Sequence, residues 1–402
     1  MNVGIVTTWF ERGASYVSKG FADEISQENN VFIYARGGEK YAKGDENWDS
    51  YNVTWNNFLN SFVPTDICKK QFENWIVSNK INVIIFNEQQ FWLPVLWAKS
   101  LGIKTVSYID YYTKENLKYF EIFDQLWCNT KRHFEAFKWH DGAKYIKWGT
   151  DVNTYLPSER YSAQPIFFHS AGMNPYRKGT DIFIEALHKM SKNSDIKGVI
   201  HTQKNISEAF PEKEKKITDL IKSKQLKIIN RTIHAPGLYK DYDVYVYPSR
   251  LDGIGLTICE ALSCGLPVIA TDNPPMNEFI DKKYSKLIDI KGFVTRSDNY
   301  FWDMCEPCES SLLKQMSYFY HNWNNLKNVK NFIRNYAEEN LNAKRNFTII
   351  NDHLEDIEMK DISKKIKKEI IRHDSSNIIL HRIGFPQRIL KAILKKIKQA
   401  LI

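Results

Sequence analysis

The chain has 402 residues, 43% of them apolar and 26% charged, with 56 Lys and Arg against 47 Asp and Glu. This balance supplies apolar surface for two or three domains and excludes a disordered tail, a collagen and a disulfide-stapled miniprotein. The net charge of +9 is localised: residues 363–402 hold eleven basic and two acidic side chains, so the preceding body is neutral and no nucleic-acid-binding surface is expected.

The first residues, Met1 to Thr7, read directly as a strand, with no charged leader and no cleavage site. No apolar run approaches the about 20 residues that a membrane-spanning helix needs, and a cytoplasmic protein is expected. Strands are predicted at 3–7, 31–35, 82–86, 105–109 and 144–148, with helices at 14–27 and 91–100 between them. Turn chemistry interrupts this rhythm around Trp148 to Pro157, and it restarts after Pro165. Further strands are predicted at 166–169, 198–201, 226–230, 243–247 and 267–270, with helices at 179–191, 212–222 and 256–264. The alternation predicts an α/β protein with two Rossmann-like, doubly wound domains facing a cleft at the carboxyl ends of their strands. The expected divisions are a domain over 1–155, a linker at 156–164, a second domain over 165–330, a helical region at 331–360 and a basic tail at 361–402.

Within that tail, Ile389, Leu390, Ile393, Leu394, Ile397 and Leu401 recur at helical spacing opposite Arg388, Lys391, Lys395 and Lys398. A basic amphipathic helix of this kind suits an anionic bilayer surface; the alternative is a helix that docks its apolar stripe on the body. Of the six cysteines only Cys305 and Cys308 form a C-x-x-C pair, with no second pair or matching histidines, so no metal site is expected.

The densest chemical signal runs from Pro248 to Ala270. A predicted strand ends in a loop carrying Gly253 and Gly255, which opens into a helix near Leu256, so free backbone N–H groups and the positive end of the helix dipole offer a phosphate site. Asp252 and Glu260 are separated by seven residues, and Glu260, about one turn into the helix, is placed to accept from vicinal hydroxyls of a ribose or sugar. A second cluster, His169 to Asp181, sets Arg177 and Lys178 just before a helix, where two cations can neutralise a leaving diphosphate.

The D-x7-E stretch encloses Gly-Ile-Gly-Leu. It continues as Glu-Ala-Leu-Ser-Cys-Gly-Leu-Pro-Val-Ile-Ala and then Pro275-Met276-Asn277-Glu278. It resembles the E-x7-E signature of retaining, nucleotide-sugar-dependent glycosyltransferases of family 4, which have the GT-B fold. The resemblance covers residues 1 to about 350 and is stronger in the second half. It implies that Glu260 binds the ribose hydroxyls and that Asp252, standing for the usual glutamate, holds the donor sugar. The backbone of Gly255, Leu256 and Thr257 would cradle the distal phosphate, with Gly253, Ile254 and Gly172 in the same donor-binding loops. Lys178 matches the family lysine, Met173 stands where an arginine usually follows the first glycine, and the arginine role moves to Arg177.

In the first domain the resemblance places Gly13 near the donor phosphate or acceptor, a tight turn being the alternative. Asp110 stands at or beside a position where relatives carry a histidine, and would orient the acceptor hydroxyl or the donor sugar. Glu88 is a further candidate acid, and Trp9 and Trp92, near strand ends, are candidates for stacking on sugar rings. The implied activity is transfer of a glycosyl group from a nucleoside-diphosphate sugar to an acceptor hydroxyl with retention. A UDP-sugar is the expected donor and a GDP-sugar the alternative, and no metal or other cofactor is implied. The expected acceptor is a glycan or lipid-linked saccharide in bacterial surface polysaccharide or glycolipid synthesis. The alternatives are a non-catalytic glycosyltransferase-like partner subunit that binds a glycan or peptide, and a GT-B sugar-nucleotide epimerase, which would convert its substrate without any acceptor.

Overall fold

A computed structural model describes residues 1–36, 42–56, 65–160 and 162–375. The chain divides into two compact units: one comprises Met1–Cys128, Ala136–Lys144 and the described residues from Ile349 on; the other comprises Asn129–Glu135 and Tyr145–Thr348. Each unit is a parallel sheet wrapped by helices.

The first unit holds a seven-stranded sheet built from β1 (Asn2–Thr7), β2 (Asn30–Ala35), β3 (Asn52–Trp55), β4 (Val83–Asn87), β5 (Lys104–Tyr108), β6 (Gln125–Cys128) and β7 (Ala143–Tyr145), in the order β3-β2-β1-β4-β5-β6-β7. The central strand β4 is a run of Val, Ile and Phe because helices cover both faces, and all five of its residues are buried. The unit's helices include α1 (Gly13–Ile25), α2 (Lys69–Ser78) and α3 (Leu93–Ser100), and α4 (Lys131–Phe137) follows β6 in the chain. Strand order reverses between β1 and β4, the switch point at which such sheets bind ligands beyond their carboxyl ends. Residues 364–375 form a helix whose Ile366 and Ile370 are buried, and the Asp374 carboxylate accepts the N–H groups of Trp92 and Leu93 at 2.7 and 2.8 Å, capping α3. The amphipathic stretch 386–402 lies outside the described residues. Among the described residues no helix is long and apolar enough to cross a membrane.

The second unit holds a six-stranded sheet built from β8 (Ile166–Gly172), β9 (Lys197–Thr202), β10 (Leu226–Asn230), β11 (Val244–Tyr247), β12 (Val268–Thr271) and β13 (Lys286–Ile288), in the order β10-β9-β8-β11-β12-β13, and all its pairings are parallel. A hairpin of β14 (Ile290–Val294) and β15 (Met304–Pro307) stands apart from it. Phe167, Phe183, Leu187, Ile200, Val244 and Val246 belong to a core that also takes in Leu312, Phe319 and Trp323 of the helix Glu309–Leu326. The segment 156–160 and Ser162, expected to link two domains, is tied into this unit: Arg160 and Ser162 bond the Asp243 carboxylate at 3.1 and 3.0 Å, and Lys330 donates to the Arg160 carbonyl at 2.7 Å.

Several elements depart from the sequence reading. The strands β3, β6, β13 and the hairpin were not anticipated, because each has five residues or fewer and too few alternations to carry a period. The strand expected over 144–148 is only Ala143–Tyr145. Trp9 and Trp92 are core residues, not sugar platforms: each is 1% exposed. Trp9 packs edge-on against Trp48 and donates to its carbonyl at 2.6 Å, and Trp92 sits among Tyr119, Phe120 and Phe123.

Candidate active site

In the second unit the strand order reverses between β8 and β11, so the loops that follow these two strands lie side by side at the carboxyl edge. Gly179, which precedes helix α5 (Thr180–Ser191), allows them to touch. Its φ is +72°, and a Cβ there would stand 1.9 Å from the Pro248 carbonyl oxygen, so only glycine fits. The Arg250 N–H and the Ser249 hydroxyl both donate to the Arg177 carbonyl, at 2.8 and 3.2 Å.

Arg250 then locks the pair of loops. Its guanidinium, 3% exposed, bonds Asp181 through Nη1 and Nη2 at 2.8 Å each and Glu306 through Nε and Nη2 at 2.9 Å each. It also donates to the Tyr176 carbonyl at 2.6 Å and lies 4.1 Å from that residue's ring centre. Arg250→Met leaves two carboxylates facing an apolar stem, so we expect a loss of about 3 kcal/mol in urea unfolding, within the range for breaking one side of an enclosed ion pair. A loss below about 1 kcal/mol, the range of an exposed pair, contradicts this role.

The locked loops bring together Arg177, Lys178 and Asp252. Lys178 donates to the Tyr247 phenol and to Asp252 Oδ2, the phenol donates to the same oxygen, and Arg177 Nη1 stands 3.8 Å from Oδ1. Arg177 Nη1 also donates to the Leu251 carbonyl at 2.9 Å, and Oδ1 accepts the Gly253 N–H at 2.9 Å. Burial alone would raise the Asp252 pKa, but Lys178 and Arg177, with hydrogen bonds from Lys178 and Tyr247, hold it well below the usual carboxylate range. Burial pushes Lys178 the other way, down to about 8; the Asp252 carboxylate opposes this and the Arg177 charge adds to it. Met173, in the place where the family resemblance suggested an arginine, is 62% exposed.

Helix α6 (Ile206–Ala209) and helix α7 (Glu214–Lys222) lie between these loops in sequence, and helix α8 (Leu256–Ser263) follows the second of them. Gly255, at φ +88°, is the N-cap of α8 and turns the chain so that the N–H groups of Leu256 and Thr257 open the helix. Glu260 is half-buried on the first turns. Tyr239 donates to its Oε2 at 2.5 Å and Tyr155 donates a further bond; burial raises its pKa while the two phenols and Lys178 pull it down. Gly253 and Ile254 complete the loop, and the Gly253 carbonyl accepts from His133 Nε2 at 3.1 Å. Burial and the Arg132 charge push the His133 pKa to about 3, so it is neutral and this Nε2 carries its proton. Glu278 accepts the N–H groups of Lys131 and Arg132 at 2.6 and 2.9 Å, which fixes the segment bearing His133. His169 is a core residue: neutral, bonded to the Val246 carbonyl at 2.9 Å and to Thr180 Oγ1 at 2.8 Å. Gly172 ends β8 at φ +55°.

Gly13 and Asp110 belong to the first unit. Gly13 is the exposed first residue of α1, and Asp110 follows β5. Glu88, just past β4, adopts a φ of +52° unusual for a side chain with a Cβ, and its Oε2 lies 3.7 Å from Arg12 Nη2. Arg36, 5% exposed, donates to the Glu88 carbonyl at 3.3 Å and to Gln89 Oε1 at 2.8 Å. With β2, β1, β4 and β5 adjacent, Arg36, Arg12, Glu88 and Asp110 share the carboxyl edge of that sheet.

Tyr155, Tyr239, Tyr247, Arg250 and His133 were not singled out from the sequence. The one available signal was Tyr245 and Tyr247 alternating with valines in β11, which puts the two phenols on the strand face opposite Val244 and Val246.

The sheet orders and the two loops define a protein of the GT-B glycosyltransferase fold. Residues 156–299 match the family described as Glycosyl transferases group 1. Among curated proteins, the lipopolysaccharide core biosynthesis mannosyltransferase LpsB of Rhizobium meliloti (strain 1021) is 27% identical over 108 residues, which is 26% of this chain and 31% of that protein, so the match spans about a third of the relative's length. Among solved structures, a glycosyltransferase from Rickettsia africae ESF-5 superposes with a TM-score of 0.71 at 15% identity, over 88% of this chain and 99% of the other. Anabaena Alr3699/HepE, crystallised with UDP and glucose, superposes with a TM-score of 0.68 at 15% identity over the same shares.

Proposed function

We propose that the protein is a retaining, family 4 type glycosyltransferase that moves a sugar from a nucleoside-diphosphate donor, a UDP-sugar first and a GDP-sugar second, to an acceptor hydroxyl. The observation that carries this reading is the convergence of Lys178, Arg177 and Asp252 beside the N-terminus of α8, with Glu260 on the same helix. The helix N-terminus and the two cations supply the charge compensation that a departing diphosphate needs, so the residues present suffice for it without a metal. Glu260 would take the ribose hydroxyls, the backbone of Gly253 to Thr257 the distal phosphate, and Gly172 the close approach at the end of β8. Asp110 and Gly13 are proposed to serve the acceptor side. Catalysis then rests on positioning and electrostatics, the donor's own phosphate taking the acceptor proton.

Calorimetry with UDP and GDP, followed by a panel of sugar nucleotides scored for slow donor hydrolysis in EDTA, tests the reading. Uptake of neither nucleotide overturns it, and release of the inverted sugar anomer overturns retention. The match to LpsB and the basic stretch 386–402 support an acceptor of the surface-polysaccharide or glycolipid class, met at an anionic membrane surface on the cytoplasmic side. A chain ending at residue 375 keeps the helix that packs on the first unit. It is expected to lose co-sedimentation with phosphatidylglycerol vesicles, and unchanged co-sedimentation removes the membrane role.

A further inference from the structure

The Tyr247 ring is fully buried and stacked on Tyr245 at 5.7 Å, which fixes its hydroxyl between two charged partners. Lys178 has two acceptors there, the phenol oxygen and Asp252 Oδ2, and its Nζ also lies 4.7 Å from the Tyr247 ring centre. The phenol donates its O–H to Asp252 Oδ2, and the other carboxylate oxygen accepts the Gly253 N–H. Both Asp252 oxygens are therefore engaged with Lys178, Tyr247 and the loop backbone. Packing on Tyr245 asks only for a phenyl ring, so the hydroxyl is the part of Tyr247 left to explain. We propose that Tyr247 is a positioning residue whose hydroxyl bridges Asp252 and Lys178, making Asp252 the counter-ion that keeps Lys178 charged and aimed until a diphosphate takes it over.

This inference rests on the diphosphate site proposed above, but the bridge is measurable without a ligand. The groups facing Lys178 are Asp252, Tyr247, Arg177, Glu260 and the neutral His169. Burial lowers its pKa to about 8, and Asp252 limits the fall. Removing the phenol takes one acceptor from a poorly hydrated ammonium, which disfavours the charged form and moves the titration to lower pH.

Acetic anhydride labelling of the free, full-length protein across pH 6.5–9.5, read at Lys178 by peptide mass spectrometry, follows that titration. The expected result for Tyr247→Phe, a change that keeps the ring stack, is a midpoint lower by about half a pH unit, and UDP affinity reduced about threefold at pH 9.5, well above the midpoint, where the same shift reads directly as a ratio. In an Asp252→Asn background the same change is expected to add little, because the bridge is already broken. An unmoved Lys178 midpoint in Tyr247→Phe overturns the proposal. A moved midpoint in a protein that takes up neither UDP nor GDP sustains the bridge and instead overturns the assignment of the site to a diphosphate.

Discussion

Glu260→Ala is expected to weaken UDP binding by about two to three orders of magnitude while leaving the melting temperature nearly unchanged. The carboxylate is placed to accept from two ribose hydroxyls, and hydrogen bonds to a charged acceptor contribute about 1.5–3 kcal/mol each. In the free protein the same carboxylate accepts from Tyr239 and Tyr155. Those phenols lose a partner in the variant, but Glu260 is only half-buried, so water can replace it. Calorimetric titration with UDP checks the prediction. A Kd within threefold of the parent protein would remove Glu260 from the nucleotide site.

Lys178→Met is expected to lower donor turnover by about two to three orders of magnitude, the usual cost of removing one preorganised partner of a developing negative charge. The loss should fall mainly on kcat, since the diphosphate carries more charge in the transition state than in the bound donor. The variant strands the Asp252 carboxylate, whose ionised form Lys178 and Arg177 stabilise, and some stability will go with it. Lys178→Met combined with Asp252→Asn removes both charges and separates the effects: stability should return while turnover stays low. Recovery of turnover in the double variant would show that the single one failed through folding alone.

The βαβ rhythm of both units was legible because central strands such as β4 (Val83–Asn87) and β11 (Val244–Tyr247) are short, fully buried apolar and aromatic runs set off by polar or glycine-bearing turns, and buried parallel strands leave that trace. The two loops of the candidate site were legible for a different reason. Gly179 and Gly255 stand at left-handed positions, Arg177, Lys178 and Asp252 are charged groups in the loops that follow β8 and β11, and Glu260 is a charged group on the helix that follows the second loop. What could not be read was pairing. Tyr247 and Tyr239 look like ordinary strand and loop aromatics until β11 and α8 are folded, and His133 meets Gly253 across 120 residues of sequence. The same blindness reversed Trp9 and Trp92. Both follow or precede elements in the expected places, but Trp48 and Phe120, distant in sequence, close over them.

The capping of α3 by Asp374 has a consequence for the order in which the molecule can be assembled. Lys99 donates to the Lys360 carbonyl at 2.7 Å and Asn29 to Asn351 at 3.1 Å, so the first unit borrows a strap made more than 200 residues after its last central strand. On a ribosome the second unit has all its strands before that strap emerges. Until translation passes residue 374, the amide groups of Trp92 and Leu93 have water in place of that carboxylate. A nascent chain released early would therefore carry a second unit with all its strands and a first unit without its strap, although the first is the one begun earlier.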